Sequence, residues 1–423
     1  MTVFVCDPGL THFSGHHARW DEEFARLFSG LGHDVHILSH GNFRETELAG
    51  VPVHQHFTKT RWHEDNRTNL LRNWDLFFDT NRTIFSEMQQ LSKKNKRRKF
   101  PATRSGDLVV FPTILQFQLS GVIDWFSSLE KKARPTVLCY LMGPSGCMKN
   151  GQGDGFLVDS FDTARFYRVA FRAAAQAAEK GKQSLHFFAC GEMQAQQYSF
   201  LRSQKVDSYP LLNSAIQPDQ TLRTKETKTV LLYVGDPRDQ KGARLLPSII
   251  SEICPLHSDW RFIVQLGVSG VKSNGLEKLR MALAQLEDRF ENFELIFERL
   301  PNERYQELFN ESEIVVTPYN ADYYRNHSSG IVWEGLATAN TLVVPDNSWL
   351  SLETKRLNAA YVKFDKFTTK SVVEAISIAI KTPPKLRTEK IDVAIAFKAQ
   401  NHPRLLKGQI ANVWPDLLKN ESL

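Results

Sequence analysis

Short runs of β-branched and aromatic residues alternate with helical patterns along most of this chain, stop once, and then begin again. This alternation constrains the fold more than any other feature, because a strand followed by a helix and another strand builds a parallel sheet. The first run is TVFVC, followed by a loop containing Gly9, Ser14 and Gly15. Trp20, Phe24, Leu27, Phe28 and Leu31 then recur at three- and four-residue spacing, which predicts a helix that closes at Gly32. HDVHIL is the second strand, and DLVVF, TVLCYL and LHFFAC are the later strands of this half. Residues 213–228 are polar and aperiodic and read as a linker. Beyond it TVLLYVG, RFIVQLG, FELIF, EIVVTPY and TLVVP restart the series.

The pattern predicts an α/β chain of two doubly wound, Rossmann-like domains, 1–212 and 229–385, with ligands in a cleft at the carboxyl ends of the strands. The 423 residues suit two cores of about 200 residues better than one. Residues 386–423 read as a helical segment, LLKGQIANVWPDLL resuming the pattern after Pro403, that packs back on the first domain.

Composition narrows the setting. With 42% hydrophobic and 24% charged residues the chain is globular rather than disordered. No window approaches the roughly 18 uninterrupted apolar residues of a membrane span. MTVFVCDPGL has no basic stretch before its apolar run, so no signal peptide is expected. The five cysteines lack metal-ligand spacing, and Cys6, Cys139 and Cys190 sit in strand-like runs as small hydrophobes. A reducing cytoplasm is the expected compartment. The net charge of +6 suits anionic partners without choosing among them.

One stretch, 70–99, interrupts the alternation. Leu70, Leu71, Trp74, Phe77, Phe78, Ile84, Phe85, Met88 and Leu91 form an apolar helical stripe, followed by Lys93, Lys94, Lys96, Arg97, Arg98 and Lys99. The plain reading is a core-packed helix ending in a solvated basic turn. The other is peripheral contact with the anionic inner face of a membrane. The basic run contains no aromatic residue, so nucleic acid is not an expected partner.

The residues with most chemical content lie in the second half. After TVLLYV comes GDPRDQKG, in which Gly235 permits a sharp turn and Arg238 and Lys241 place two cations at a strand's carboxyl end. Such cations, with the amides of a helix start, stabilise a diphosphate. A second piece follows EIVVTPY: the loop NADYYRNH leads to a helix opening at Ser328, Ser329 and Gly330, with Glu334 one turn later on the same face. Serines cap helix starts, Gly330 lets a phosphate approach the amides, and a carboxylate at 334 can accept hydrogen bonds from ribose hydroxyls. Histidines 12, 16 and 17 have no accompanying carboxylate pattern, so a metal site is not expected there; one of them is a candidate to touch a sugar. His54 and His56, at alternating strand positions, read as surface residues. The glycines of GQGDG (151–155) precede no immediate helical pattern and read as a flexible loop. No P-loop and no HExxH motif is present.

Strand, G-x₅-K-G and helix, then about 85 residues later Ser-Gly-x₃-Glu, Ala and a Val-Val-Pro strand, resembles the donor half of family 4 glycosyltransferases, which have the GT-B architecture. Gly15 before a helix that ends in Gly-His-Asp-Val is similar to that family's glycine loop and first helix. The resemblance implies transfer of a sugar from a nucleotide-diphosphate donor to a saccharide, lipid-linked or other acceptor, with retained anomeric configuration and no metal cofactor. By it, Arg238 and Lys241 hold the donor diphosphate, Ser329 and Gly330 present amides to it, and Glu334 holds the ribose; Gly15 and Arg325 are further candidates for the diphosphate. Asn326 and His16 serve the reacting sugar. The family carries an acidic residue eight positions before its ribose glutamate, where this chain has the neutral Asn326, which can hydrogen-bond a sugar hydroxyl but cannot act as a charge. Two alternatives share the fold: a nucleotide-sugar 2-epimerase, and a nucleotide-binding homologue without catalysis.

Overall fold

The computed structural model describes residues 1–13, 16–59, 70–93, 95, 99–150, 155–178, 184–211, 227–267, 274–381 and 386–418. Gly15, most of the stretch read as a linker, and Lys94, Lys96, Arg97 and Arg98 lie outside them. The chain divides into two compact units, Met1–Leu212 with Pro403–Leu423, and Asn213–His402. The helix Leu386–Gln400 therefore belongs to the second unit, where buried Lys390 donates to Glu313 (2.6 Å) and Thr341 (3.2 Å). The segment from Pro403 belongs to the first, where Trp414 Nε1 donates to the Gly106 carbonyl and Gln409 to that of Ser208.

The first unit holds an eight-stranded sheet. Its strands are β1 (Thr2–Asp7), β2 (Asp34–His40), β3 (Glu47–Leu48), β4 (Val51–Phe57), β5 (Leu108–Ile114) and β6 (Thr136–Leu141). After the small hairpin of β7 (Cys147–Lys149) and β8 (Phe156–Val158) come β9 (Leu185–Cys190) and β10 (Asp207–Tyr209). The order is β10-β9-β6-β5-β1-β2-β4-β3, parallel except for the β3–β4 pair. The chain thus winds outward from β1 in one direction and from β5 in the other.

The second unit repeats the plan with six strands: β11 (Thr229–Gly235), β12 (Arg261–Leu266), β13 (Phe293–Ile296), β14 (Ile314–Val316), β15 (Thr341–Pro345) and β16 (Tyr361–Phe364). All its pairs are parallel, in the order β13-β12-β11-β14-β15-β16. Winding reverses between β11 and β14, which makes the loops after these strands the ligand position expected of a doubly wound sheet.

Each unit has its own core, and strands covered on both faces read as continuous apolar runs: β5 and β15 are buried at every residue. β4 instead alternates, and His54 and His56, read as surface residues, are half-buried on it. His54 Nε2 meets His36 Nδ1 at 3.1 Å and its ring packs 4.7 Å from that of Phe100, while His56 hydrogen-bonds the Glu87 carbonyl. Burial, then His36, then Lys99 push the His54 imidazole down to about 4. The five cysteines are all buried and outside any disulfide. The helix Leu70–Ser92 packs into the first core through Ile84, Met88 and Leu91, while Phe78 remains 59% exposed. Among the described residues no helix is long and apolar enough to cross a membrane.

Candidate active site

β11 ends at Gly235, whose φ of +102° lies in the region L side chains avoid, and the chain turns there out of the sheet. Two side chains fasten the turn. Gln265 of β12 accepts from the Gly235 amide (3.0 Å) and donates to the Glu298 carbonyl (2.6 Å). Buried Tyr233 donates its hydroxyl to the Asp236 carbonyl (2.6 Å) and accepts from the Arg238 amide (3.2 Å). Residues 239–241 make one 3₁₀ turn that stops at Gly242, φ +81°.

The loop after β14 lies directly on this turn. Its Asn320 amide donates to the Gln240 carbonyl (2.9 Å), and the Pro318 carbonyl sits where a Cβ on Gly242 would be. Asn320 Oδ1 in turn accepts from the amides of Asp322 and Tyr323. Two stretches some 80 residues apart in sequence thus become one structure at the switch point.

The cations at this place differ in state. Arg238 is about half exposed and bridges to Asp236 at 3.0 Å. Lys241 is half-buried, its ammonium 5.7 Å from the centre of the Tyr319 ring, and it pairs with no carboxylate among the described residues. Burial first, then the neighbouring Arg238, bring its amine down to about 8, against smaller upward pulls from Asp236 and Glu334. A half-buried cation beside a second cation, with no carboxylate in ion-pair contact among the described residues, is a site for an anion.

The helix Gly330–Ala337 opens beside it. Ser329 occupies its N-cap position, but the serine side chain does not cap the helix, contrary to the capping role read from sequence. Ser329 is instead buried together with Tyr319. The helix start is thus left without that side-chain cap, and Gly330 is exposed at its first position. Unsatisfied amides and a bare Cα are what an oxyanion needs at a helix start. Glu334, one turn on, is only 4% exposed and accepts from the Tyr305 hydroxyl at 2.8 Å. Asn326 is buried, 5% exposed, whereas Arg325 is partly exposed and bridges to Asp322 at 2.6 Å.

In the first unit β1 ends in Asp7, which is fully buried. Its Oδ2 lies 2.7 Å from His17 Nδ1, and its Oδ1 accepts from the Gly9 amide (2.7 Å) and the Thr113 hydroxyl (3.0 Å). The carboxylate partner absent from the sequence reading of the histidines is therefore Asp7, ten residues before His17. His16 is exposed at the first residue of its helix, its ring 4.3 Å from that of His17. Among the described residues no group of three or more histidine, cysteine or acidic side chains is placed to hold a metal ion.

No protein-family model matches this chain, and no curated protein matches it by sequence. Solved structures match over its whole length. An α,α-trehalose 6-phosphate synthase from Burkholderia multivorans is 11% identical with a TM-score of 0.62, covering 100% of this chain and 98% of its own. Sucrose-phosphate synthase from Thermosynechococcus elongatus is 12% identical with a TM-score of 0.61, covering 99% of each. A UDP-forming α,α-trehalose-phosphate synthase from Burkholderia xenovorans, in complex with glucose-6-phosphate, is 11% identical with a TM-score of 0.61, covering 98% and 99%. The chain has the GT-B fold.

In this GT-B chain the strand-end cations and the Ser329–Glu334 helix stand in one unit at one switch point, while His16 and His17 stand in the other. Sequence reasoning missed Tyr233, Gln265 and Tyr305, which hold Arg238, Gly235 and Glu334, and Tyr319, over whose ring Lys241 lies. Tyrosine and glutamine inside otherwise apolar runs, as in TVLLYV and RFIVQL, are the signal that was available. A polar group there survives burial only with a partner.

Proposed function

We propose that this chain is a glycosyltransferase that moves a sugar from a nucleotide-diphosphate donor, held in its second unit, to a carbohydrate or lipid-linked acceptor. The observation that carries the reading is Lys241, half-buried beside Arg238 with no carboxylate in ion-pair contact among the described residues, at the switch point next to the Gly330 helix start. In this reading Lys241 and Arg238 neutralise the diphosphate in place of a metal, with Arg325 adding charge and Ser329, Gly330 and Gly15 offering backbone amides. Glu334 receives the ribose. Asn326 and His16 serve the reacting sugar. The bond from the anomeric carbon to the diphosphate breaks, the acceptor oxygen bonds to the same face with retention, and the leaving diphosphate takes the acceptor's proton. The protein orients the partners and stabilises the departing charge. A UDP-forming neighbour agrees with a nucleoside diphosphate as the product.

The test is release of nucleoside diphosphate from a panel of nucleotide sugars, with and without acceptors that include glucose-6-phosphate. Glu334→Gln should weaken donor binding about ten- to a hundredfold, the cost of one charge-assisted hydrogen bond. Asn326→Ala should lower turnover while nucleotide affinity holds. The neutral, buried Asn326 also favours a second reading, a nucleotide-binding protein without catalysis. Tight nucleotide binding by the wild type with neither transfer nor hydrolysis of any donor would establish that reading instead.

A peripheral contact of 70–99 with the inner face of an anionic membrane belongs to the same proposal, supported by exposed Phe78 on a helix whose other described apolar residues are buried or half-buried. The full chain should sediment with phosphatidylserine-containing vesicles at low salt and be released by 0.5 M salt, roughly the regime in which screening falls to a few ångströms. No sedimentation at low salt removes the membrane contact and leaves only the core-packing role.

A further inference from the structure

The Glu334 carboxylate is held by a residue outside its own helix. Tyr305 belongs to the helix Asn302–Glu311, and its hydroxyl donates to Glu334 Oε2 at 2.8 Å across 29 positions of sequence. The Tyr305 ring is itself fixed, packing on Phe309 one turn further along at a centroid distance of 5.4 Å. Glu334 sits 4% exposed on the inner side of its helix, and its charge reaches Lys241, whose amine it pulls upward. A carboxylate has about four acceptor positions, of which the phenol takes one. A glutamate side chain that a ligand must freeze costs that ligand affinity, and a hydrogen bond made in advance removes part of the cost.

We propose that Tyr305 is the positioning residue of the donor site: its hydroxyl fixes the Glu334 carboxylate for the ribose hydroxyls and so sets the preference for a ribonucleoside diphosphate. The proposal rests on the reading of Glu334 as the ribose ligand. It assigns Tyr305 no contact with the donor. Acting on the donor through Glu334, it has two specific consequences. Loss of the hydroxyl should be felt by ligands that carry ribose and not by the diphosphate moiety alone. It should also add little once Glu334 is itself altered.

Titration calorimetry with the full chain tests this, using UDP, GDP and ADP, their 2′-deoxy counterparts, and inorganic pyrophosphate as probes. Tyr305→Phe keeps the ring and its packing on Phe309, so the fold is retained, and thermal unfolding of the variant checks that. The expected result is an affinity for the ribonucleoside diphosphates lower by about three- to tenfold, with pyrophosphate binding unchanged. The ratio of ribo- to 2′-deoxyribonucleotide affinity should fall toward one, and Tyr305→Phe combined with Glu334→Gln should bind no more weakly than Glu334→Gln alone. Unchanged nucleotide affinity in Tyr305→Phe, equal losses for nucleotide and pyrophosphate, or additive losses in the double variant would each overturn the proposal while leaving the donor site standing. Failure of the wild type to bind any of the three nucleotides would overturn the donor site, and Tyr305's role with it.

Discussion

Lys241→Ala should weaken nucleoside diphosphate binding by about ten- to a hundredfold, corresponding to the roughly 1.5–3 kcal/mol of a charge-assisted hydrogen bond. The pH dependence of the wild type gives the sharper expectation. Burial and Arg238 hold the free amine at about 8. Below that pH the ammonium is already formed and a diphosphate meets two cations. Above it the free protein carries a neutral amine that must take up a proton to bind, because the bound anion restores the amine's ordinary basicity. Affinity should therefore be flat up to about pH 7.5 and fall by up to tenfold per unit from about pH 8 toward 10. Lys241→Ala should lack that decline, and Lys241→Arg, whose guanidinium stays charged, should bind at pH 9.5 as it does at pH 7. Calorimetry across this range decides the matter. A wild-type affinity independent of pH between 8 and 10 would show that Lys241 does not meet the anion.

Gly242→Ala should have the largest effect on stability in the second unit. At φ +81° an alanine is strained, and its Cβ would fall well inside contact distance of the Pro318 carbonyl oxygen, a backbone atom that cannot swing aside. The strain costs about 1–2 kcal/mol and the overlap another 1–3. Calorimetry should show the unfolding transition of this unit lowered by roughly 5–15 °C. Because the same overlap would push the loop after β14 off the turn after β11, nucleotide affinity should fall as well. Gly235→Ala provides the control. Its φ of +102° is also unfavourable, but within 4 Å the only neighbour among the described residues that its Cβ would meet is the end of the Lys241 side chain at 3.8 Å, so mainly the backbone strain remains. If the two variants unfold at the same temperature, the Gly242–Pro318 approach is not what joins the loops.

The difference between what is legible in this sequence and what is not follows from range. Hydrophobic period is local, so the alternation of TVFVC, HDVHIL, TVLLYVG and RFIVQLG with helical patterns carries the doubly wound class without any knowledge of contacts. The loops that bear Arg238 with Lys241 and Ser329 with Glu334 are likewise legible as strand-end loops, because turn residues and cations stand next to apolar runs. Nothing local says which strands are neighbours. That β14 lies against β11, and so brings Pro318 and Asn320 onto the turn at Gln240 and Gly242, is decided by pairing between segments some 80 residues apart. Periodicity contains no term for that choice. The same holds for polar side chains that must find partners once the sheets are covered. Asp7 meets His17 and Thr113, and Tyr305 reaches Glu334 from another helix. Each pairing exists because burial makes an unsatisfied polar group costly, and burial is a property of the assembled tertiary structure rather than of any segment alone.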